Sequence, residues 1–211
     1  MNSQRTHVSR HWLRTSCLLG CAALFLSACS IAPRAEVNSD WAKQREQLRD
    51  LDSWELRGRV NVRYDNDNDT PRILWSQQNV EYHIRLWGTF NVGSTTIVGR
   101  PGFVTLESDG EVLTANSPED LILQQLGYEL PVSQLNYWIK GLPAPQSVPE
   151  LGFNELNQLT NISQDGWDIN FPDPRQYGEI TLPREVILTR ARNDIRLRFI
   201  GLNWSLPETI N

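Results

Sequence analysis

Strict alternation of apolar and polar side chains is the feature that most constrains the fold of this chain. From residue 54 to residue 64, the apolar side chains of Trp54, Leu56 and Val60 are separated by charged or amide side chains. A period of two residues predicts a long strand with one dry and one solvated face. Similar short segments recur as far as residue 199, joined by turn signals such as Asp109-Gly110. Short strands joined by tight turns predict an antiparallel meander.

Three segments break the alternation and favour helices. The first covers residues 40–53, where Asp40 can cap the N-terminus. The second starts at Ser117-Pro118, and the third follows Pro131 and ends before Gly141. We therefore expect a mostly β fold: one curled, open antiparallel half-barrel of about 11 strands, with about three helices covering the mouth and an apolar cavity inside.

The first 28 residues form a separate segment with three Arg and no acidic residue. The apolar run at residues 17–26 is too short to cross a bilayer as a helix and is typical of a signal peptide. It ends in Leu26-Ser27-Ala28-Cys29, which resembles the lipobox of bacterial lipoproteins. We expect lipidation at Cys29, and the alternative is an ordinary secretory signal with a chance cysteine. By the same resemblance, Ser30 after the cysteine implies an outer-membrane address, facing the periplasm.

The expected domain organisation follows from this segment. Residues 1–28 are predicted to be a lipoprotein signal peptide and residues 29–39 a lipidated N-terminus and tether. Residues 40–211 are predicted to form a single folded domain, because no later linker divides them.

Composition excludes several functional classes. Of 20 basic residues, 17 follow residue 28, against 25 acidic residues, which leaves a net charge of −8 and argues against nucleic-acid binding. Only Cys29 and His83 remain as Cys or His ligands, so no metal site is predicted. His83 lies on the charged face of a predicted strand, and no phosphate-binding loop occurs. We predict no enzymatic activity and no cofactor, although a carboxylate pair of the glycosidase type stays open.

Two sets of apolar residues are candidates for contact with lipid. Aromatic side chains on predicted dry faces could line a cavity for acyl chains, or simply pack in the core. The cavity candidates are Trp54, Trp75, Trp87, Phe103 and Trp138. The second set is Phe90 and Val92, in a predicted loop at residues 87–93. Apolar side chains displayed on a loop often contact a membrane or a partner, and the alternative has Phe90 folded back onto the sheet.

Taken together, four segments resemble the LolB family. They are the lipobox ending at Cys29, Trp54-Glu55-Leu56-Arg57-Gly58-Arg59, the loop before Gly93-Ser94-Thr95, and Trp138-Ile139-Lys140-Gly141-Leu142-Pro143. The resemblance implies an open half-barrel that accepts lipoproteins from a soluble periplasmic carrier similar to LolA. It also implies that the protein binds the acyl chains of its cargo and inserts the cargo into the inner leaflet of the outer membrane, without ATP.

The resemblance also assigns roles within the loop. An apolar residue just before the Gly-Ser-Thr is implied to help insertion into the membrane lipid, and Val92 occupies that position. Phe90 lies two residues earlier, and Asn91 replaces a proline of the family pattern. A monomer is expected. Two other functions stay open: a cell-wall hydrolase tethered to the outer membrane, and a structural subunit of an outer-membrane assembly complex.

Overall fold

One continuous antiparallel sheet dominates the computed structural model, which describes residues 39–88, 93–126 and 129–207. The predicted signal segment, and all of the predicted tether except Ser39, lie outside the described residues. The helices are α1 Ser39–Asp50, α2 Pro118–Leu126 and α3 Val132–Trp138. The strands are β1 Ser53–Tyr64, β2 Asp67–Asp69, β3 Arg72–Gln78, β4 Glu81–Trp87, β5 Thr95–Arg100, β6 Phe103–Ser108, β7 Glu111–Ala115, β8 Glu150–Phe153, β9 Leu159–Gln164, β10 Trp167–Tyr177, β11 Ile180–Arg190 and β12 Ile195–Ser205.

The order of strands shows an open sheet. It runs β7-β6-β5-β4-β3-β1-β12-β11-β10-β9-β8, and β2 pairs only with β1. The first and last strands of the chain's meander therefore meet in the middle, where β1 pairs with β12. Within the described residues, β7 and β8 form the two unpaired edges. The prediction of an open, mostly β fold of about 11 strands with three helices is confirmed.

The inner face of the sheet carries the hydrophobic core, as the alternation predicts. In β1, Trp54, Leu56 and Val60 are buried, while Arg57 and Arg59 between them are exposed. The inner positions of the neighbouring strands are likewise buried, and together they form one core cluster. We call the opposite face, which carries the charged residues, the outer face.

Gly58 is required where β1 bends against β12. The register between these strands shifts between Arg57 and Arg59, which marks a bulge. A Cβ at Gly58 would lie 2.8 Å from Leu202 Cδ2 and 3.0 Å from the Ile200 carbonyl oxygen. Only glycine therefore lets the two central strands approach this closely.

The helices follow their predicted positions with one difference. α1 ends at Asp50, three residues before the predicted end at residue 53. The difference arises because Ser53 already pairs with Gln78 as the first residue of β1. α1 buries Trp41 and Leu48 in the core.

The second half of the sheet is longer than the sequence suggests. The Pro and Gly residues of segment 142–152 predict a loop, yet β8 begins within it at Glu150. Apolar residues predict that the next strand starts at Leu156, and β9 starts at Leu159. β10 and β11 extend through Pro174 and Pro183, which lie opposite each other next to a shift in register. Proline lacks an N–H donor, so its place beside a ladder irregularity explains how these strands tolerate it.

Candidate functional site

Three tryptophans pack together on the inner face. The ring centroid of Trp54 lies 5.2 Å from that of Trp75 and 5.1 Å from that of Trp204. Trp204 Nε1 donates to the Pro183 carbonyl at 2.8 Å, and Trp75 Nε1 donates to Gln77 Oε1 at 3.3 Å. Two of the predicted cavity residues, Trp54 and Trp75, are therefore neighbours in this tryptophan cluster.

Trp138 belongs to a second buried group, at the end of α3. Its ring centroid lies 6.2 Å from that of Trp167, and its Nε1 donates to Gln164 Oε1 at 2.8 Å. Gln164 is itself buried, and its Nε2 donates to the carbonyls of Ala144 at 2.7 Å and Ser147 at 3.0 Å. These bonds fix Trp138 inside the core, next to the loop that follows α3.

Two other predicted residues lie on the outer face. Side chains alternate along β4, so Trp87 shares the face of Arg85, whose guanidinium carbon lies 5.6 Å from the Trp87 ring centroid. Phe103 lies opposite Arg100 in the register and is 44% exposed. The structure does not bring Trp87 and Phe103 together with the tryptophan cluster. Phe90, Val92 and Cys29 lie outside the described residues.

A pocket of about 370 Å³ opens between the inner face of the sheet, the start of α2 and one side of α3. Trp75 and Ile84 form its wall on the sheet, and Val132 forms part of its wall on α3. Known sites for small ligands range from about 300 to 1,000 Å³, so this pocket is at the lower end of that range. Polar side chains also line it, among them Tyr82 and Asn136. We call it the cargo pocket, because the family resemblance implies that cargo binds inside the open half-barrel.

Tyr82 is seated in this pocket by a glycine on the neighbouring strand. Gly99 lies directly opposite Tyr82, and a Cβ at Gly99 would overlap the Tyr82 ring. Burial, and secondarily the charge of Glu119, raises the pKa of Tyr82 to about 12, so the phenol stays neutral near pH 7. The Tyr82 hydroxyl and Asn136 Oδ1 are buried without a hydrogen-bond partner among the described residues.

Two further pockets flank α2, one of about 370 Å³ and one of about 290 Å³, the latter lined in part by Phe103. Leu121 is the buried residue among the side chains of α2 that the structure describes. The helix is held to α3 by Glu119, whose carboxylate accepts from the Ser133 N–H at 2.7 Å and the Ser133 Oγ at 3.1 Å. α2 thus borders all three pockets, the cargo pocket only through Pro118, and Leu121 is its one buried side chain among those described.

The pocket of about 370 Å³ that flanks α2 is lined by several carboxylates. They are Glu119, Asp120, Glu129 and Asp165. Asp165 accepts from Gln134 Nε2 at 2.6 Å, and Glu129 lies 4.0 Å from Arg190. The described residues contain no cluster of His, Cys, Asp or Glu suited to a metal ion. His83 is exposed on the outer face, as the sequence predicts.

Sequence reasoning missed Lys140, a buried charged residue beside α3. Lys140 is 5% exposed, and its Nζ donates to the Leu51 carbonyl at 2.9 Å. Burial lowers its pKa to about 8, and the charge of Asp52 partly offsets this shift. The signal was present in the sequence, because Lys140 is the charged residue within an otherwise apolar segment at residues 138–143.

Comparison of the sequence with known proteins identifies a family. The family described as Outer membrane lipoprotein LolB matches residues 52–204. Relatives named Outer-membrane lipoprotein LolB come from Pseudomonas paraeruginosa (36% identical, covering 85% of this chain and 87% of the relative), Chromohalobacter salexigens (34%, 87% and 86%) and Marinobacter nauticus (31%, 93% and 96%).

A LolA superfamily protein from Nitrosomonas europaea aligns with a TM-score of 0.49 and 8% identity, covering 78% of this chain and 90% of that one. None of the described helices is long and apolar enough to cross a membrane. The family match spans β1 to β12, and the relatives exceed 30% identity over most of the chain. The chain therefore belongs to the LolB family of outer-membrane lipoproteins.

Proposed function

We propose that this domain accepts lipoproteins from a soluble periplasmic carrier similar to LolA, holds their acyl chains in the cargo pocket, and inserts them into the outer membrane. The chain acts at the outer membrane in lipoprotein localisation, as its family membership assigns. The observation that carries the proposal is a pocket between the inner face of an open sheet and its covering helices.

Physical chemistry explains why such a step needs a protein but no ATP. Each CH₂ group moved out of water contributes roughly 0.8 kcal/mol, so a lipoprotein with free acyl chains aggregates unless a protein shelters them. Transfer then proceeds downhill if the acyl chains bind better here than in the carrier, and better still in the bilayer. A difference of about 1.4 kcal/mol gives a tenfold bias at each step.

Movement of α2 would enlarge the space for cargo. The cargo pocket alone measures about 370 Å³, and the two neighbouring pockets are also lined by residues of α2. Because α2 has few buried side chains, displacing it costs less than displacing a strand or α3. We propose that α2 shifts when acyl chains enter and that the three pockets then join.

The proposal includes no catalytic step. The relatives are named as outer-membrane lipoproteins, and these names do not favour a hydrolase. The carboxylates around α2 hold structural contacts: Glu119 accepts from Ser133, and Asp165 accepts from Gln134. They are better explained as groups that fasten helices and loops than as an acid and base pair.

A transfer assay tests the proposal directly. A radiolabelled lipoprotein bound to its carrier is mixed with the domain, and the label is followed between the two proteins. Val132→Glu places a charge in the cargo pocket and should sharply reduce acceptance of the label. Val148→Glu is the matched control, because Val148 is 93% exposed and lies outside that pocket. Equal acceptance by both variants would contradict the assignment of the pocket.

Phe90 and Val92 remain the proposed insertion residues. Phe90→Glu and Val92→Glu should leave folding and acceptance of cargo intact and impair insertion into liposomes, because a charge opposes entry into the bilayer. Val112→Glu, on an exposed position of β7, is the control. Insertion at the wild-type rate by either loop variant would remove that residue from the mechanism.

A further inference from the structure

Where β3 begins and β4 ends, the outer face carries arginines that form no ion pair with a described carboxylate. Arg59 of β1 lies directly opposite Arg72 of β3, and Arg72 lies directly opposite Trp87 of β4. Arg85 shares this face, and its guanidinium stacks over the Trp87 ring at 5.6 Å. We call Arg59, Arg72, Arg85 and Trp87 the arginine patch.

These arginines lack a paired carboxylate in the part of the chain that the structure describes. All three arginines are exposed, and none forms an ion pair with a carboxylate among the described residues. Like charges directly opposite each other destabilise an antiparallel pair, so folding alone does not favour Arg59 beside Arg72. Such a conflict with a local rule is expected at functional surfaces.

A second arginine pair on the same face shows the contrast. Arg63 lies opposite Arg196, and there the Asp194 carboxylate lies 3.4 Å from the Arg63 guanidinium. Nearby, Arg198 donates to Glu185 at 2.7 Å. The outer face therefore contains arginines with an ion pair, Arg63 and Arg198, and arginines without one among the described residues, although the whole chain has a formal net charge of −5.

The chemistry of the patch fits a phospholipid surface. A guanidinium binds phosphate through two parallel hydrogen bonds, and tryptophan is enriched where protein meets the boundary between membrane and water. The family places this chain permanently at a membrane. We propose that the arginine patch docks the domain on anionic phospholipid headgroups of the outer membrane. This inference rests on the membrane location of the family and does not depend on cargo binding.

Docking by this face has a structural consequence. The patch lies on the face opposite the cargo pocket, since Trp75 and Ile84 point inward while Arg72 and Arg85 point outward. The domain would then rest on the bilayer with its pocket free to receive cargo from the periplasm. An acidic protein surface is the rival occupant, and the experiment below separates the two.

Vesicle flotation tests the proposal with no carrier or cargo present, so its outcome is independent of the transfer assay. The protein is the chain from Ser30 onward, without Cys29, so that no acyl anchor dominates. All residues of the described core cluster lie between Trp41 and Trp204, so this chain retains that core. The probes are phosphatidylethanolamine vesicles with or without phosphatidylglycerol.

We expect binding only to vesicles with phosphatidylglycerol, and weaker binding at high salt. Each arginine near an anionic surface contributes about fivefold to affinity, so Arg59→Gln with Arg72→Gln should weaken binding roughly 25-fold. Arg59→Lys with Arg72→Lys should retain most of it. The matched control is Arg63→Gln with Arg198→Gln, which removes the same charge from the same face and should change binding little.

Three results would overturn the proposal. One is a wild-type chain that does not float with anionic vesicles, and another is an equal loss of binding in both glutamine pairs. The third is binding to the soluble carrier that depends on Arg59 and Arg72 while vesicle binding does not, which would assign the patch to an acidic protein. Near-ultraviolet circular dichroism verifies the fold of each variant. The variant with Arg59→Gln and Arg72→Gln should be at least as stable to unfolding as the wild-type protein, because the substitutions remove the repulsion between the two arginines.

Discussion

Gly99 shapes the cargo pocket by leaving room for the Tyr82 ring. Gly99→Ala would drive a Cβ into that ring and should destabilise the domain by about 1–3 kcal/mol, the usual cost of overpacking. The free energy of unfolding in urea measures this loss. In a Tyr82→Ala background the same substitution should cost much less, because nothing remains to clash. Equal costs in both backgrounds would show that Gly99 serves another purpose.

Buried Lys140 gives the stability of the domain a distinct pH dependence. Its pKa is about 8 in the folded chain against an ordinary value of 10.5. Between these values the unfolded chain binds more protons than the folded chain, so stability should rise with pH, by up to about 3 kcal/mol. Below pH 8, Lys140 is protonated in both the folded and the unfolded chain. Its contribution to the free energy of unfolding is then constant and at its least favourable value.

Unfolding in urea between pH 7 and pH 10 checks this expectation. Tyr82 acts in the opposite sense above pH 10, because its pKa of about 12 makes the unfolded chain lose that proton first. Lys140→Met should abolish the rise between pH 8 and pH 10. Lys43→Met should preserve it, because Lys43 is exposed on α1. A rise that persists in Lys140→Met would assign the effect to another group.

α2 is the element that the proposed mechanism requires to move, and the Glu119 contact to Ser133 restrains it. Glu119→Ala removes two hydrogen bonds to a charged acceptor, worth about 1.5–3 kcal/mol each. Amide hydrogen exchange across α2 should therefore accelerate at least tenfold, while exchange in the central strands stays unchanged. Acceptance of cargo should become faster if α2 is the barrier to entry.

Asp120→Ala is the control for that experiment. Asp120 also lies in the first turn of α2, so its loss removes the same favourable interaction with the helix dipole. It lacks the contact to Ser133, so exchange should change far less than in Glu119→Ala. Similar exchange in the two variants would mean that the helix dipole, and not the contact between helices, restrains α2.

Local sequence signals predicted most of the secondary structure because each acts within a few residues. Asp109-Gly110 and Asp165-Gly166 form tight turns in which both residues have positive φ, the pattern that such dipeptides favour. Gly141, with φ of +81°, follows the end of α3 as predicted. Alternating side chains from Trp167 to Phe171 predict the first part of β10. Its continuation past Pro172 and Pro174 was not predicted, because it depends on a register shift against a partner strand.

The candidate site was harder to predict because it depends on pairing between strands. The opposition of Tyr82 and Gly99 follows from the register of β4 and β5, which no local pattern specifies. The position of Trp87 on the outer face could have been predicted from the sequence, because Trp87 lies two residues after the charged Arg85 in the same strand. Trp54 and Trp138 are buried, as predicted, but neither lines the cargo pocket. Which buried side chains reach the pocket depends on how α3 packs against the sheet, and no local sequence pattern specifies that packing.

The open sheet explains how a stable domain is compatible with the proposed binding of apolar cargo. Strands β1, β12 and β11 form its centre and bury residues from both halves of the chain. The two edges are short, with five residues in β7 and four in β8, which limits pairing with other chains. Stability is thus concentrated at the centre, and the proposed movement of α2, which has few buried side chains, would leave that centre intact.

The same distribution of stability predicts that the proposed lipidation at Cys29 serves only for attachment. Replacing Cys29 and supplying a conventional secretion signal should release a folded protein into the periplasm, because the core cluster lies entirely between Trp41 and Trp204. Its unfolding midpoint should equal that of the domain cleaved from the lipidated protein, and it should still accept cargo from the carrier. Cell fractionation and urea unfolding measure these two properties. An insoluble or unfolded product would instead mean that the N-terminal segment contributes to the fold, and residues 29–39 would no longer be a simple tether.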